Sequence, residues 1–243
     1  MTRRWTNRAA IEEWARMPRE AMERMDAEGD FAKRHLVNPT LLRMLGDVAG
    51  RRVLDAGCGQ GYLSRMLAAR GATVLGVEPA AALFDYSVER EAQLGQGIRY
   101  VRADLCELPD LGEPFDVCVS SMVMACIPEW ERALAACVER LRSGGVIVVT
   151  LNHPCFERLW TAWREHGEYR LDRYLADYEI QGLHGVDFHR PLSVYLNKLI
   201  GLGCRIREVA EPGLSEAAAA EGPAGIEAYC HLPNFVLIAA ERS

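Results

Sequence analysis

The chain of 243 residues is 49% hydrophobic and 26% charged, proportions that suit a globular domain with a sizeable core and exclude a wholly disordered chain. With 28 Lys and Arg against 34 Asp and Glu, its net charge of −6 argues against a duplex-binding protein, whose affinity rests on neutralising phosphates. Apolar runs such as 146–149 and 235–240 are far too short to cross a bilayer, and no apolar stretch follows the early arginines, so a soluble, cytoplasmic protein is expected.

Eight cysteines at 58, 106, 118, 126, 137, 155, 204 and 230 include no C-x-x-C pair. Most sit in apolar patterns, where a thiol behaves as a small hydrophobe, so neither a disulfide framework nor a zinc site is expected.

The first fifty residues read as helical, with Ile11 and Trp14, then Met22 and Met25, at helical spacings. Asn38-Pro39 has the form of a helix start, an N-cap followed by proline at the first helical position. From Arg51 a strand–turn–helix rhythm sets in. Strands are expected at 52–56, 73–77, 98–101, 115–120 and 146–151. Helices are expected at about 60–70 and 80–94, and from Pro128 to Arg142 before the stop at Ser143-Gly144-Gly145. Such alternation implies right-handed crossovers and a parallel sheet with helices on both faces.

Residues 152–190 show no further strand–helix unit. Beyond them, Leu192, Leu196, Leu199 and Ile200 make a helical stripe, and strands are expected at 204–209 and 235–240, separated by an Ala/Gly/Glu-rich connection at 212–233. The chain thus reads as one α/β domain with a helical N-terminal segment and an insertion after the fifth strand.

The informative segment is Val53-Leu54-Asp55-Ala56-Gly57-Cys58-Gly59-Gln60-Gly61. Its glycines follow the first strand and precede a helix, where open α/β sheets bind ligands beyond the carboxyl ends of their strands. Gly57, Gly59 and Gly61 form G-x-G-x-G, whereas a dinucleotide fingerprint needs its third glycine one position later, where Tyr62 stands. The Gly-Lys-Ser/Thr ending of a phosphate-binding loop is also missing. Glu78 ends the second strand, where an acid can accept both hydroxyls of a ribose, and Pro79 offers a flat apolar surface beside an adenine. Asp104 follows the third strand and can accept from an exocyclic amine. Acids after three successive strands describe a cleft for an adenosine without phosphates.

On these residues the chain resembles the class I S-adenosylmethionine-dependent methyltransferases, over roughly residues 30–240. VLDAGCGQGYLSRMLA, VEP, ADLCELP, FDVCVSSMVM and LRSGGVIVVTLNHP carry the likeness, in that order along the chain. More narrowly, it looks like bacterial members of quinone-biosynthesis and natural-product type, also in its Asn152–Phe156 and His189–Leu192 segments. The resemblance implies a Rossmann-like, doubly wound, seven-stranded and mostly parallel sheet in one domain over 1–243. Within it, 1–50 would be a helical lid, 51–151 a cofactor-binding core, 152–190 a substrate cap and 191–243 a C-terminal helix and strands. It further implies that Gly57, Cys58 and Gly59 face the methionine and ribose parts of S-adenosylmethionine. Asp55 would order the turn or meet the amino group, Glu78 and Pro79 would hold the ribose side, Asp104 and Leu105 the adenine, and Ser120 or Ser121 would lie near the methionine end. S-adenosyl-L-homocysteine would be the product. An N-terminal tyrosine or histidine that often covers the cofactor in the family is not obvious here.

Methyl transfer is a single in-line displacement, so the protein supplies alignment, and a base helps when the acceptor is a hydroxyl. The insertion holds His153, His166, His184 and His189 together with Trp160, Trp163, Tyr169, Tyr174 and Tyr178, a set suited to an aromatic or apolar small molecule. His153, directly after the fifth strand, is the first candidate for general base and His189 the second; their alternative roles are a turn cap and a helix-start residue. Phe156, Trp160 and Trp163 are expected to pack one helical face on the sheet. The histidines lack metal-ligand spacing, so no metal is expected. Arg158, Arg164, Arg170 and Arg173 form either a solvated face or a site for an anionic acceptor. The expectation is O- or N-methylation of a small molecule by a monomer or homodimer that binds neither nucleic acid nor membrane. C-methylation of an anionic isoprenoid-like substrate and nicotinamide-dependent oxidoreduction are the alternatives.

Overall fold

In chain order the strands are β1 (Arg52–Ala56), β2 (Thr73–Val77), β3 (Arg99–Val101), β4 (Phe115–Ser121), β5 (Leu141–Asn152), β6 (Tyr178–Gln181), β7 (Val186–His189), β8 (Cys204–Ala210) and β9 (Phe235–Arg242). The helices are α1 (Asn7–Trp14), α2 (Arg19–Arg24), α3 (Asn38–Leu45), α4 (Tyr62–Ala68), α5 (Ala81–Leu94), α6 (Trp130–Glu139), α7 (Leu159–His166), α8 (Leu192–Gly201) and α9 (Glu216–Ala220). They are seen in a computed structural model that describes residues 5–25, 28–182 and 184–243; the early arginines, Arg3 and Arg4, lie outside these.

Seven strands form one sheet in the order β3-β2-β1-β4-β5-β9-β8. All neighbouring pairs through β5 are parallel, and β9 runs antiparallel between β5 and β8. The expected seven-stranded, mostly parallel sheet is therefore present. Its inner strands β1, β2, β4 and β9 are buried over most of their length because both faces are covered, while the edge strand β8 alternates. Leu54, Leu75, Cys118 and Ile147 enter the core on one face, with Trp130, Leu134 and Leu199. Val53, Val74, Val117 and Val148 enter the core on the other, with Leu41, Leu63 and Leu67. The strand order reverses at β1 and β4, which places the switch point of the sheet beside the glycine segment.

Four local expectations are corrected. The helix expected to reach Arg142 ends at Glu139, and Leu141–Asn152 is one strand that runs through Ser143-Gly144-Gly145. Leu141 is buried and pairs with Phe115, so the chain rejoins the sheet five residues early. Asn38 is not an N-cap: a π turn at Lys33–Val37 runs straight into α3, and the Asn38 amide donates to the Glu28 carbonyl at 2.7 Å. The insertion is not irregular throughout. It contains α7 and an antiparallel hairpin, β6–β7, in which Tyr178 pairs with His189 and Gln181 with Val186. Phe156 precedes α7, and it packs with Trp163 in a separate core around Leu36, Leu159 and Phe235 rather than on the main sheet. Trp160 faces outward enough to be partly exposed and donates its Nε1–H to the Ala224 carbonyl at 2.9 Å.

Candidate functional site

A cavity of about 440 Å³ opens beyond the carboxyl ends of β1 to β4. Gly57, Cys58 and Gly59 after β1, Glu78 and Pro79 after β2, Asp104 and Leu105 after β3, and Ser121 at the end of β4 all line it. Sequence reasoning thus brings together eight of its cofactor-side residues on one wall.

The turn after β1 is held by its backbone. The N–H groups of Gly57 and Cys58 both donate to the Val77 carbonyl, at 2.8 and 2.9 Å. Gly57 has φ +77°, and a Cβ there would stand 2.6 Å from Val123, so no side chain fits. Glu78 ties this turn to the next strand: Oε2 accepts the Gly59 N–H at 2.9 Å and Oε1 the Ala80 N–H at 2.8 Å. Burial pushes its carboxyl up to about 7, against the pull of those two donors. Each oxygen keeps a further lone pair for a hydroxyl. Asp104 accepts the Cys106 N–H at 2.9 Å through Oδ1, and its Oδ2 faces the Asn7 amide at 3.3 Å.

Two predicted residues stand off the wall. Asp55 turns to α4, where it accepts from Ser64 Oγ at 2.6 Å, and burial pushes its carboxyl up to about 6. It orders the turn rather than reaching the cavity. Ser120 is fully buried and lines neither cavity, because alternate residues of β4 face opposite sides of the sheet; Ser121 has the cavity side.

The roof comes from residues to which the sequence reading gives no cofactor role. Asn7, Ile11 and Trp14 of α1 line the cavity, as do Met17, Met25, Lys33 and Tyr62. So do Met122, Val123 and Cys126 after β4, and His184, Gly185 and Asp187 from the hairpin. Met122 sits at φ +62°, an unusual backbone for a side chain of its size, fixed by its N–H donating to the Thr150 carbonyl at 3.0 Å. Only that strained turn could have been guessed from the sequence, as the abrupt end of an apolar strand.

A second cavity, of about 480 Å³, lies under α7 and the hairpin, with Asn152, Glu157, Arg158, Trp160, Phe188, Arg190, Tyr195 and Tyr229 among its lining. Gly182 and Asp187 belong to both cavities.

The two candidate bases are on neither wall. His153 is buried; its Nδ1 accepts the Cys155 N–H at 3.1 Å, which leaves Nε2–H to donate to Glu211 at 2.7 Å. His189 is buried under Tyr178, stacked at 4.3 Å, with Nδ1 on Glu157 at 2.9 Å and Nε2 donating to the Tyr174 carbonyl at 2.8 Å. Both rings spend both nitrogens on the fold, so the general-base expectation for them is corrected. Of the four arginines, Arg158 reaches the second cavity, while Arg164 lies over Trp160, Arg173 over Tyr178, and Arg170 pairs with Glu168. Among the described residues no group of three or more His, Cys, Asp or Glu could hold a metal, and no helix is long and apolar enough to cross a membrane.

The residues present fit a nucleoside without phosphates. At Gly59 a Cβ would meet no protein atom within 4 Å, so a ligand can press against that backbone. Lys33, the cation on the wall, is already paired with Asp30 at 2.6 Å, and Glu78 and Asp104 offer acceptors where a phosphate would be repelled.

A methyltransferase-domain family model matches residues 53–145. The malonyl-[acyl-carrier protein] O-methyltransferase of Hamiltonella defensa subsp. Acyrthosiphon pisum is 32% identical over 161 residues, 65% of this chain and 60% of that one. The ubiquinone biosynthesis O-methyltransferase of Alkalilimnicola ehrlichii is 33% identical over 133 residues, 52% of this chain and 54% of that one. The chain thus spans little more than half the length of these curated relatives. The crystal structure of an S-adenosylmethionine-dependent methyltransferase from Mesorhizobium loti matches 88% of this chain and 99% of its own, with 29% identity and a TM-score of 0.73. Sheet order, glycine turn and relatives agree in likening this chain to the class I S-adenosylmethionine-dependent methyltransferases.

Proposed function

We propose that the chain transfers a methyl group from S-adenosylmethionine to an oxygen of a small, ring-bearing acceptor. The observation that carries this is a pair of neighbouring cavities, of about 440 and 480 Å³, whose walls share Gly182 and Asp187. The first has the acids and the bare backbone of a nucleoside site; the second has Trp160, Phe188, Tyr195 and Tyr229 on its walls. In this reading 51–151 is the cofactor-binding core, 1–50 its lid and 152–190 the acceptor cap.

When bound, the cofactor supplies an electrophilic methyl group on a positively charged sulfur. Everything else is done by the chain. Glu78 accepts the ribose hydroxyls, Asp104 and Leu105 hold the adenine, and the Gly57–Gly59 backbone and Ser121 lie along the methionine side. The roof excludes water, with Trp14 of α1 packed on Gly185 of the hairpin and Trp5 on Phe188. Holding donor and acceptor in line is worth about 7–11 kcal/mol of the barrier.

The anionic-isoprenoid alternative loses support, because Arg190 spends its guanidinium on the Ile127 and Pro128 carbonyls and Arg158 donates to the Gln181 carbonyl. Calorimetry with S-adenosylhomocysteine and NADH, side by side, tests the main reading. Micromolar binding of the first alone is expected; binding of NADH alone would overturn it. A panel of phenols with radiolabelled S-adenosylmethionine then reads out the transfer.

A further inference from the structure

We propose that Asp187 is the general base of the transfer, taking the proton of a neutral hydroxyl acceptor that enters through the second cavity. This rests on the methyltransferase reading above. Asp187 sits on β7, the inner strand of the cap hairpin, and is the side-chain acceptor common to the walls of both cavities; the other shared residue is Gly182. A group there faces the donor from one side and the acceptor from the other. His153 and His189, the two histidines at the cap's ends, are spent on Glu211 and Glu157.

The carboxylate is placed, not loose. Cys126 Sγ donates to its Oδ1 at 3.0 Å, and the Asn152 amide at the end of β5 faces it. A carboxylate accepts at about four positions, so a hydroxyl can still dock. The surroundings suit a base more than a charge partner. Cys126 on the turn after β4 has its thiol pushed well up by burial and so stays neutral. Glu157, before α7, is engaged by His189 and Tyr178. Arg190, next on the same segment, is turned to backbone carbonyls, and His184 lines the cofactor side of the hairpin. Burial raises the Asp187 carboxyl above its ordinary value, toward the working pH where a base is most effective. The balance is complete: the O–H bond breaks and its proton goes to Asp187, the oxygen–methyl bond forms, and the sulfur–methyl bond breaks with its electron pair left on sulfur as a neutral thioether.

Two measurements on the full chain test this. The first follows the Asp187 carboxyl by carbon NMR titration in complexes with S-adenosylmethionine and with S-adenosylhomocysteine, which differ by one positive charge at sulfur. A carboxylate within about 4–6 Å of that sulfur titrates lower by about 1 unit or more in the methionine complex. Equal midpoints would place Asp187 away from the reacting atoms and overturn the proposal. The second uses Asp187→Asn, which keeps an acceptor for the Cys126 thiol. Affinity for S-adenosylhomocysteine and the melting temperature should stay at the wild-type values, while turnover of any phenol accepted by the wild type falls about 10²–10⁴-fold and the acid limb of its pH profile disappears. A mutant with wild-type turnover, or one that loses stability and cofactor affinity together, makes Asp187 a structural residue. Failure of the wild-type chain to bind S-adenosylhomocysteine would instead sink the methyltransferase reading itself.

Discussion

The floor and the roof of the cofactor cavity are built by different means. The floor is made of strand ends and short turns, positioned by the parallel ladder and by backbone donors such as those of Gly57 and Cys58 on the Val77 carbonyl. The roof is hung from side chains that join distant parts of the chain. Asn7 bridges Asp104 and the Glu129 N–H across gaps of 97 and 122 residues, and Trp14 leans on Gly185. A floor of this kind is fixed before any ligand arrives. A roof of a few polar and aromatic contacts opens at far lower cost than the sheet, which is what admission of a cofactor and an acceptor requires.

The sharpest way to break the floor is Glu78→Ala. It removes the acceptor proposed for the ribose hydroxyls and leaves the Gly59 and Ala80 N–H groups unpaired, at about 1–3 kcal/mol each. Affinity for S-adenosylhomocysteine should fall at least about 100-fold by calorimetry, a loss of roughly 3 kcal/mol. Unchanged affinity in a folded mutant would remove Glu78 from the site.

His189→Ala breaks the cap instead. It leaves the part-buried Glu157 with Tyr178 but without its histidine, and loss of one member of a buried pair costs up to about 3–5 kcal/mol. Hydrogen exchange should quicken at 178–189 while the amides of β1, β2 and β4 stay protected. Uniform loss of protection across the sheet would show that floor and roof are one cooperative unit.

That contrast also explains what the sequence could tell. Strand runs such as Val53–Ala56 and the G-x-G-x-G turn announce themselves because local backbone geometry demands them. Hence Gly57, Glu78, Asp104 and Leu105 can be set at strand ends from the sequence, and all four line the cavity. The helix from Pro128 ends sooner than its sequence suggests because Leu141, apolar enough to continue a helix, finds Phe115 across the sheet. The hairpin was missed because Tyr178–Gln181 is short and mixed in polarity, and its existence depends on the His189 ring stacking on Tyr178. His153 and His189 looked catalytic because a histidine at a strand end is chemically open; Glu211 and Glu157, far off in sequence, close that option.

A smaller effect separates the floor from the roof by pH. Burial raises the carboxyls of Glu78 and Asp55, to about 7 and about 6. The fold therefore holds their protons more tightly than the unfolded chain does. Their contribution to stability is complete below the ordinary carboxylate values of about 4 and is lost as pH rises to about 7. The melting temperature of the ligand-free protein should fall over that window, and Glu78→Gln should flatten its upper half. Cofactor affinity runs the other way, since the ionised Glu78 is the better acceptor for hydroxyls.

The smallest change, Asn7→Ala, tests the roof alone. It removes the amide that faces Asp104 and the oxygen that accepts the Glu129 N–H at 3.1 Å, about 1 kcal/mol for each bond. Neither bond touches the glycine turn or Glu78, so the floor keeps its shape. Loosening a roof without altering the floor should leave the association rate of S-adenosylhomocysteine nearly unchanged and raise its dissociation rate several-fold, as expected when contacts made after docking are lost. Stopped-flow use of Trp14 fluorescence reads both rates, because that indole lines the cavity. A fall in the association rate instead would mean that α1 helps shape the open site, and the distinction between a preset floor and a closing roof would have to be given up.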